Sequence, residues 1–363
     1  MIASKRNLFY SFLVLYFLSL IVVAVTTPIT PSEARLFFQP IDSIVAFLMH
    51  LGHSMYSTEF GLRMFFLMLG FINALLYYQV TSFFFSKSED RYLTLAIYLL
   101  LPGMIAASVL ANSAIVVSTL VLLFVYGFLR KYWVLASSAL LLLSFVHWSA
   151  LVFFSILILY SLFIKSRQLF YMSALALCLY FFVGIDIPDM QSKSHFVELL
   201  GTYATIFSPL LFIYIFYALY RVLLRGTRDI VWCISFFILI LSLVLSFWQK
   251  ISIVDFSPYI MIGVVIAINV YYASLRVRLR RFQAGYRLMF WIVTVSLILS
   301  SFSIIFHQPI YRFVGKVNYS IVAPIYEPYD ASKKLKQENK ICEDIISKRA
   351  IHQMRYYGVK RCF

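Results

Sequence analysis

Long apolar runs separated by short basic connections make up most of the 363-residue chain. A helix of about 20 apolar residues crosses a hydrocarbon core of about 30 Å, so uncharged runs of that length are candidate spans. The pattern predicts an all-α polytopic membrane protein with about eleven transmembrane helices. We place them near 8–26, 62–85, 92–108, 112–129, 132–146, 148–164, 169–184, 202–220, 229–248, 257–275 and 288–306. The two spans between 132 and 164 come from one run divided at His147, where a single span with a re-entrant portion is the alternative.

The first connection interrupts this pattern with the stretch TPITPSEARLFFQP. Its prolines, Pro28, Pro31 and Pro40, prevent the first helix from continuing, because proline lacks a backbone N–H and clashes with the preceding turn. A helical spacing of apolar residues follows and predicts a helix that lies in the membrane interface. That spacing comprises Ile41, Ile44, Val45, Leu48 and Leu51. The first connection is therefore expected to be long, partly helical and acidic, with carboxylates at Glu33, Asp42 and Glu59.

Composition supports a membrane environment and excludes a water-soluble globule. Hydrophobic residues make up 62% of the chain, charged residues only 13%, and the mean hydropathy is +0.88. The net charge of +16 lies in short clusters between apolar runs, as in membrane proteins, so we do not expect nucleic-acid binding. The densest cluster, RVRLRRFQAGYR, predicts contact with anionic membrane lipids. We find no nucleotide-binding signature and no Cys/His cluster with metal spacing, and we predict neither cofactor nor metal.

The distribution of basic residues predicts the orientation, because short loops rich in Lys and Arg stay in the cytoplasm. With the N-terminus inside, the inner connections hold sixteen Lys and Arg and the outer ones four. The outer four are Arg35, Arg63, Lys193 and Lys250. An odd number of spans then places the C-terminus outside the plasma membrane. We expect two domains: a transmembrane domain at 1–306 and a small basic extracytoplasmic segment at 307–363.

The C-terminal segment carries the two cysteines that lie outside the apolar runs, Cys342 and Cys362. An extracytoplasmic location is oxidising, so we expect a disulfide between them. It would close a loop of about twenty residues and stabilise a small unit by roughly 3 kcal/mol. Helical spacing at Ile345, Ile346, Ala350 and Met354 predicts a short helix within that loop. The alternative is a loosely held basic tail.

One part of the chain resembles a known family. PSEARLFF, soon after the first apolar run, is similar to the acidic motif of glycosyltransferases of the C superfamily, which includes protein mannosyltransferases and the lipid A aminoarabinose transferase. In that family the motif is commonly Asp-Glu-Ala followed by an aromatic residue or arginine. The likeness continues through RMFFLMLGFINALLYYQVTSFFF, LPGMIAASVLANSAIVVSTLVLLFVYGFLRKYW and LLLLSFVHWSALVFFSILILY. It covers about the first half of the chain, and His147 occupies the place of a family lysine.

The resemblance implies a membrane enzyme that transfers a sugar from a polyprenyl-phosphate donor to a glycan, lipid or protein acceptor at the outer face. A carboxylate must receive the proton of the attacking acceptor group, and Glu33 is the candidate. Either Glu33 serves alone, Asp42 substitutes for it, or the chain is an inactive homologue. The departing lipid phosphate needs cationic partners. Those available are Arg35, Arg63, His147 and Lys250. Ser32 stands where many members of the family have the aspartate that is often assigned as the base.

Other interpretations of the same residues stay open. Ser32 could be the N-cap of an interfacial helix, with Glu33 in a first turn favoured by the helix dipole. His147 and Trp148 could anchor a helix end at the membrane interface. At the level of function, the alternatives are a polysaccharide polymerase or ligase and a transporter or flippase of lipid-linked glycans. A polymerase would concentrate arginines in a large outer loop, and a transporter would carry charges in mid-membrane.

Overall fold

A computed structural model shows a helical protein. The structure describes residues 2–39, 43–185, 195–248, 252–314, 323–338, 342–343 and 350–361. Within these ranges the chain forms nineteen helices and two strands of two residues each. The strands, β1 (Cys342–Glu343) and β2 (Lys360–Arg361), pair in parallel, with Cys342 opposite Lys360.

The helices follow one another with short connections in most of the chain. The first nine are α1 (Ile2–Thr26), α2 (Pro31–Phe38), α3 (Ser43–Met55), α4 (Glu59–Thr81), α5 (Ser88–Leu99), α6 (Pro102–Val109), α7 (Ser113–Arg130), α8 (Trp133–Leu143) and α9 (Ala150–Phe163). The next seven are α10 (Arg167–Val183), α11 (Phe196–Phe207), α12 (Pro209–Arg225), α13 (Ile230–Leu245), α14 (Ile253–Met261), α15 (Val264–Val277) and α16 (Arg280–Ile305). The C-terminal helices are α17 (His307–Val314), α18 (Ala323–Gln337) and α19 (Ile351–Tyr356).

The apolar helices confirm a polytopic membrane protein, whereas the number of spans stays a prediction. In the described ranges, five helical segments are long and apolar enough to cross a membrane: Arg6–Thr26, Glu59–Thr81, Ser113–Arg130, Val254–Val277, which combines α14 and α15, and Arg280–Ile305. The number is seven if each of two bent helix pairs counts as one span. The other four predicted spans correspond to shorter apolar helices, α8, α9, α10 and α13, of 11 to 17 residues.

Proline explains where the two bent pairs break. The axes of α5 and α6 differ by 66°, and those of α11 and α12 differ by 101°. Pro102 and Pro209 each stand at the first position of the second helix. Proline fits there because its missing N–H would have no partner in the first turn, while the residue before it is pushed away from helical geometry. Ser208, which precedes Pro209, has φ 72°. The sequence pattern predicted these two segments as uninterrupted spans, and both are broken.

Residue contacts divide the chain into two compact units. The larger unit comprises 1–11, 69–107 and 113–301; the smaller comprises 12–68, 108–112 and 302–363. The C-terminal segment therefore groups with the first connection and the residues around it. The predicted domain boundary at residue 306 stays a prediction.

A buried polar network lies within the larger unit. Asn73 Nδ2 donates to Ser118 Oγ (3.0 Å) and Thr119 Oγ1 (3.2 Å). The Tyr98 hydroxyl donates to Asn73 Oδ1 (2.8 Å). An amide side chain in an apolar interior is stable only when its polar atoms have hydrogen-bond partners. The partners of Asn73 come from α5 and α7, so the network links these two helices to α4. Asn73 thus has the helix-packing role that is typical of polar residues in spans.

In the smaller unit, the helix predicted from the apolar spacing at 41–51 is present as α3, but its buried face differs from the predicted one, and its place in the membrane interface stays a prediction. Val45, Ala46 and Met49 are buried, whereas Leu51 is exposed and Ile41 lies outside the described residues. Two glycines explain the shift, because α3 approaches α4 closely at that face. A Cβ placed on Gly52 would lie 2.1 Å from the backbone oxygen of Gly61.

Candidate functional site

A capping box sets the start of α2 in the smaller unit. Thr30 is the N-cap, and its Oγ1 accepts from the backbone N–H of Glu33 (3.2 Å). The Glu33 carboxylate reaches back and accepts from the Thr30 backbone N–H (2.8 Å) and hydroxyl (3.0 Å) at Oε2. Pro31 occupies the first helical position. The proposal that Ser32 is the N-cap is therefore wrong, because the Thr30-x-x-Glu33 spacing satisfies the first-turn donors two residues earlier.

Glu33 forms a bidentate ion pair with Arg63 on α4. Arg63 Nε donates to Glu33 Oε1 (2.9 Å), and Arg63 Nη2 donates to Glu33 Oε2 (2.7 Å). The exposed fraction is 0% for the Arg63 side chain and 1% for that of Glu33. The planar guanidinium matches the carboxylate fork, which makes this geometry among the strongest polar contacts in proteins.

The remaining donors of Arg63 bind the end of α1 and the segment after it. Nη1 donates to the carbonyls of Ala24 (3.0 Å) and Thr27 (2.6 Å), and Nη2 donates to that of Pro28 (2.9 Å). A helix C-terminus leaves carbonyls without intrahelical partners, and a cation there also offsets the helix dipole. A guanidinium has five N–H groups, and in Arg63 each of the five donates a hydrogen bond.

The Glu33 carboxylate is equally saturated. Ala111, a buried residue between α6 and α7, donates its backbone N–H to Oε1 (2.8 Å), which brings the donors on the carboxylate to five. Burial acts to raise the pKa of Glu33, but the charge of Arg63 and the hydrogen bonds from Arg63, Ala111 and Thr30 outweigh it. The pKa is therefore lowered, and the carboxylate is held in its charged form.

We call Thr30, Glu33, Arg63 and Ala111 the clamp. It joins the end of α1, the start of α2, the start of α4 and the α6–α7 connection. The structure thus brings together two predicted site residues, Glu33 and Arg63. Their contacts are those of a structural ion pair, since neither side chain has a donor or acceptor left to face a substrate.

The other predicted site residues of this unit are placed differently. Arg35 is exposed on α2, two residues after Glu33. Asp42 lies outside the described residues, as does Lys250 of the other unit. The roles predicted for these residues stay predictions.

The C-terminal segment adds contacts to the same connection. The Tyr357 hydroxyl accepts from the Ile29 backbone N–H (3.0 Å) and donates to Glu59 Oε1 (3.2 Å). His307 Nε2 lies 3.2 Å from Thr27 Oγ1 and 3.0 Å from the Tyr326 hydroxyl. These side chains therefore help to order the residues that lead from α1 into α2.

An aromatic and histidine surface continues from α2 onto α3 and α19. The Phe37 ring lies 4.5 Å from that of His50 and 5.8 Å from that of Tyr356. Arg355 lies over the Phe38 ring at 4.5 Å. Arg35 and Phe38 are three residues apart on α2, so Arg35 lies on the same side of the helix as this surface.

A second polar cluster surrounds His147 in the larger unit, between α8 and α9. His147 Nδ1 lies 3.0 Å from Ser149 Oγ, and Nε2 lies 3.5 Å from Asp255 Oδ1. Trp148 Nε1 donates to Asp255 Oδ2 (3.0 Å), and Ser149 Oγ lies 3.1 Å from the Tyr259 hydroxyl. Burial lowers the pKa of His147 to about 4, which favours the neutral imidazole.

The burial of this cluster bears on both interpretations of His147. His147 and Trp148 are 7% and 8% exposed, so they are packed inside the protein. An interfacial anchor faces lipid and headgroups, and this pair does not. A neutral imidazole can donate one hydrogen bond to a phosphate, but it does not supply a charge. The phosphate role of His147 stays a prediction.

Comparisons with known proteins identify the fold. The chain superimposes on the crystal structure of ArnT from Cupriavidus metallidurans in the apo state with a TM-score of 0.63 and 11% sequence identity. The alignment covers 99% of this chain and 85% of that one. ArnT from the same organism bound to undecaprenyl phosphate gives a TM-score of 0.61 and 10% identity over the same shares. No family model matches, and no curated protein sequence matches. The resemblance first seen at PSEARLFF is thus supported at the level of the fold.

Several residues of these clusters were not predicted from the sequence. The Thr30-x-x-Glu33 capping box is a readable motif, and it would have identified the N-cap. Ala111 contributes through its backbone, so no side-chain signal marks it. Asp255 and Tyr259 reach Trp148 and Ser149 from more than 100 residues away along the chain. In the described part of the chain, no group of three or more His, Cys, Asp or Glu side chains could hold a metal ion.

Proposed function

We propose that this chain is an integral membrane glycosyltransferase that transfers a sugar from a polyprenyl-phosphate donor to a glycan, lipid or protein acceptor. The observation that carries the proposal is the fold, which matches ArnT along nearly the whole chain. ArnT belongs to the glycosyltransferase C superfamily and is a lipid A aminoarabinose transferase. One of the matched structures holds undecaprenyl phosphate, a polyprenyl phosphate of the kind to which the donor sugar would be attached.

Transfer requires a proton acceptor for the attacking acceptor group and cationic partners for the departing phosphate. The clamp has a different task in this proposal: it fixes the segment that connects α1 to α2 and so positions the residues after it. Arg35, exposed on α2 and next to the aromatic surface, is then a candidate phosphate ligand. Asp42 and Glu33 are the proton acceptors to compare, and the saturated contacts of Glu33 favour Asp42.

We place the protein in the plasma membrane with its N-terminus in the cytoplasm and the C-terminal segment outside. Cys342 is disulfide-bonded, whereas Cys178 and Cys233 are free. The predicted partner, Cys362, lies outside the described residues. A disulfide in the C-terminal segment supports an oxidising location for it.

The decisive experiment follows the fate of the donor lipid. Purified protein in proteoliposomes is given sugar-loaded polyprenyl phosphates, and the release of free polyprenyl phosphate is measured by mass spectrometry. A transferase releases it in a time-dependent manner in the presence of an acceptor extract, and Asp42→Asn abolishes the release. A flippase moves the donor across the bilayer without cleaving it. Transport without any sugar release would overturn the proposal in favour of that alternative.

A further inference from the structure

A groove in the larger unit opens between α12, α15 and α16. Its volume is about 740 Å³, and apolar and aromatic side chains form most of its lining. On its floor, the Tyr271 ring stacks on Phe290 at 3.9 Å and on Tyr286 at 5.4 Å. We call it the tyrosine groove. It involves neither the clamp nor the His147 cluster.

The length of the tyrosine groove corresponds to one leaflet of a bilayer. Along α16 its lining runs from Phe282 to Val293, which at 1.5 Å per residue is about 17 Å. Half of a hydrocarbon core of about 30 Å is about 15 Å. The helix α16 is itself a candidate span, and only 11% of its apolar window is buried in the protein. The groove therefore has about the length that one acyl chain occupies in a leaflet, and its Arg278 end precedes the predicted span at 288–306.

Polar groups lie on the groove wall towards one end. The Tyr214 and Tyr286 hydroxyls are 3.1 Å apart. The Arg278 guanidinium lies over the Tyr286 ring, 4.2 Å from its centroid. A guanidinium held on an aromatic ring keeps its N–H edge available for an anion. The two hydroxyls can bind ester or phosphate oxygens.

The sequence around that end is rich in arginine. Arg276, Arg278, Arg280, Arg281 and Arg287 fall within twelve residues. No Asp or Glu occurs between Asp255 and Glu327. A zwitterionic headgroup would leave this charge unbalanced, whereas an anionic headgroup offsets it.

We propose that the tyrosine groove is a binding site for an anionic glycerophospholipid, with one acyl chain in the groove and the phosphate at Arg278. A polyprenyl tail is several times longer than a leaflet is deep, so a groove of this length does not contain it. The proposed site is distinct from that of the proposed donor, which the competition with polyprenyl phosphate tests, and binding is measured without transferase activity.

The test uses the full-length protein, purified and delipidated in detergent. Phosphatidylglycerol and phosphatidylcholine with identical acyl chains are titrated separately, and bound lipid is counted by native mass spectrometry. We expect phosphatidylglycerol to bind more tightly by about fivefold or more, the factor that one basic side chain supplies at a membrane surface. Arg278→Gln should remove most of this preference and leave phosphatidylcholine binding unchanged.

Two glycine variants make a matched pair. A Cβ added at Gly285, which lines the groove, meets no atom within 4 Å, and the same holds at Gly201 on α11, outside the groove. Gly285→Trp should therefore fill the groove and prevent tight lipid binding, while Gly201→Trp should bind as the wild type does. Thermal melts of both variants are the control that tests whether they are folded.

Three outcomes would overturn the proposal. They are equal binding of the two phospholipids, wild-type binding by Gly285→Trp, and displacement of phosphatidylglycerol by an equimolar amount of polyprenyl phosphate. The last outcome would assign the groove to the donor lipid.

Discussion

The two polar clusters that contain predicted site residues differ in the length and burial of their ion pairs. In the clamp, every N–H of Arg63 and both oxygens of Glu33 are occupied at 2.6 to 3.0 Å. In the His147 cluster, the imidazole lies 3.5 Å from Asp255, and the Asp255 side chain is 13% exposed. A saturated buried ion pair is costly to disturb, whereas the longer His147–Asp255 contact involves a carboxylate that solvent reaches. The difference indicates a structural role for the first cluster and leaves room for chemistry at the second.

The largest effect is expected from Arg63→Ala. This change leaves the Glu33 charge buried without its partner and removes the ligand of three carbonyls around the end of α1, so the protein should lose about 3–5 kcal/mol of stability. Thermal unfolding in detergent measures it, with Arg35→Ala as the exposed control. A melting temperature equal to the wild type would show that the clamp does not hold this region together.

Glu33→Gln separates a structural role from a catalytic one. If Glu33 were the base, transfer should fall by about a hundredfold in a protein of unchanged stability. The clamp instead predicts a loss of stability, because the amide nitrogen would face donors of Arg63, Thr30 or Ala111. Melting temperature and transfer rate are measured on the same preparation. Full stability with abolished transfer would restore Glu33 as the proton acceptor.

Sequence reasoning reached the fold class and the end of α1 because both depend on local patterns. Apolar runs identify membrane helices, and Pro28 follows closely on the end of α1 at Thr26. Local patterns could not identify the partners of Glu33, because Arg63 lies 30 residues away along the chain and Ala111 lies 78 residues away. Arg63 itself was assigned to the lipid phosphate because a scarce outer cation suggests an anionic ligand. The structure shows that its anion is Glu33.

The C-terminal segment was predicted only in part. Ala350 and Met354, two residues of the predicted helix, are buried at the start of α19 and within it, while Ile345 and Ile346 lie outside the described residues. The polar helix α18, with Pro328 inside it, was not predicted from the sequence. Its residue Tyr326 contacts His307, an interaction across 19 residues that no periodicity encodes.

Asp255→Ala tests the looser cluster and should have an intermediate effect. The buried Trp148 N–H loses its acceptor, which costs about 1–3 kcal/mol. Asp255→Asn keeps an acceptor oxygen and is the matched control. If both variants melt like the wild type but lose transfer, Asp255 takes part in the reaction.

The pH dependence of stability provides a smaller, graded test of the clamp. The folded-state pKa of Glu33 is lowered below its ordinary value of 4.5, so its contribution to stability is complete above that value. The contribution is lost as pH falls through the folded-state pKa. The difference in melting temperature between wild type and Glu33→Gln should therefore be constant near pH 7 and shrink in acid. A difference that grew on acidification would have the wrong sign for an ionised Glu33.

Arg35→Ala should have the smallest effect on stability and so gives the cleanest view of function. Arg35 is exposed, and exposed substitutions away from special features change stability by about 0.5 kcal/mol or less. If Arg35 binds the lipid phosphate, the KM for the polyprenyl-phosphate donor should rise by about tenfold, because a charge-assisted hydrogen bond to an anion contributes about 1.5 kcal/mol. Arg35→Lys, which keeps the charge but loses the bidentate fork, should recover part of that affinity. Donor titrations of the wild type, Arg35→Ala and Arg35→Lys measure this KM. An unchanged KM in Arg35→Ala would place the phosphate site away from α2 and leave the clamp with a structural role alone.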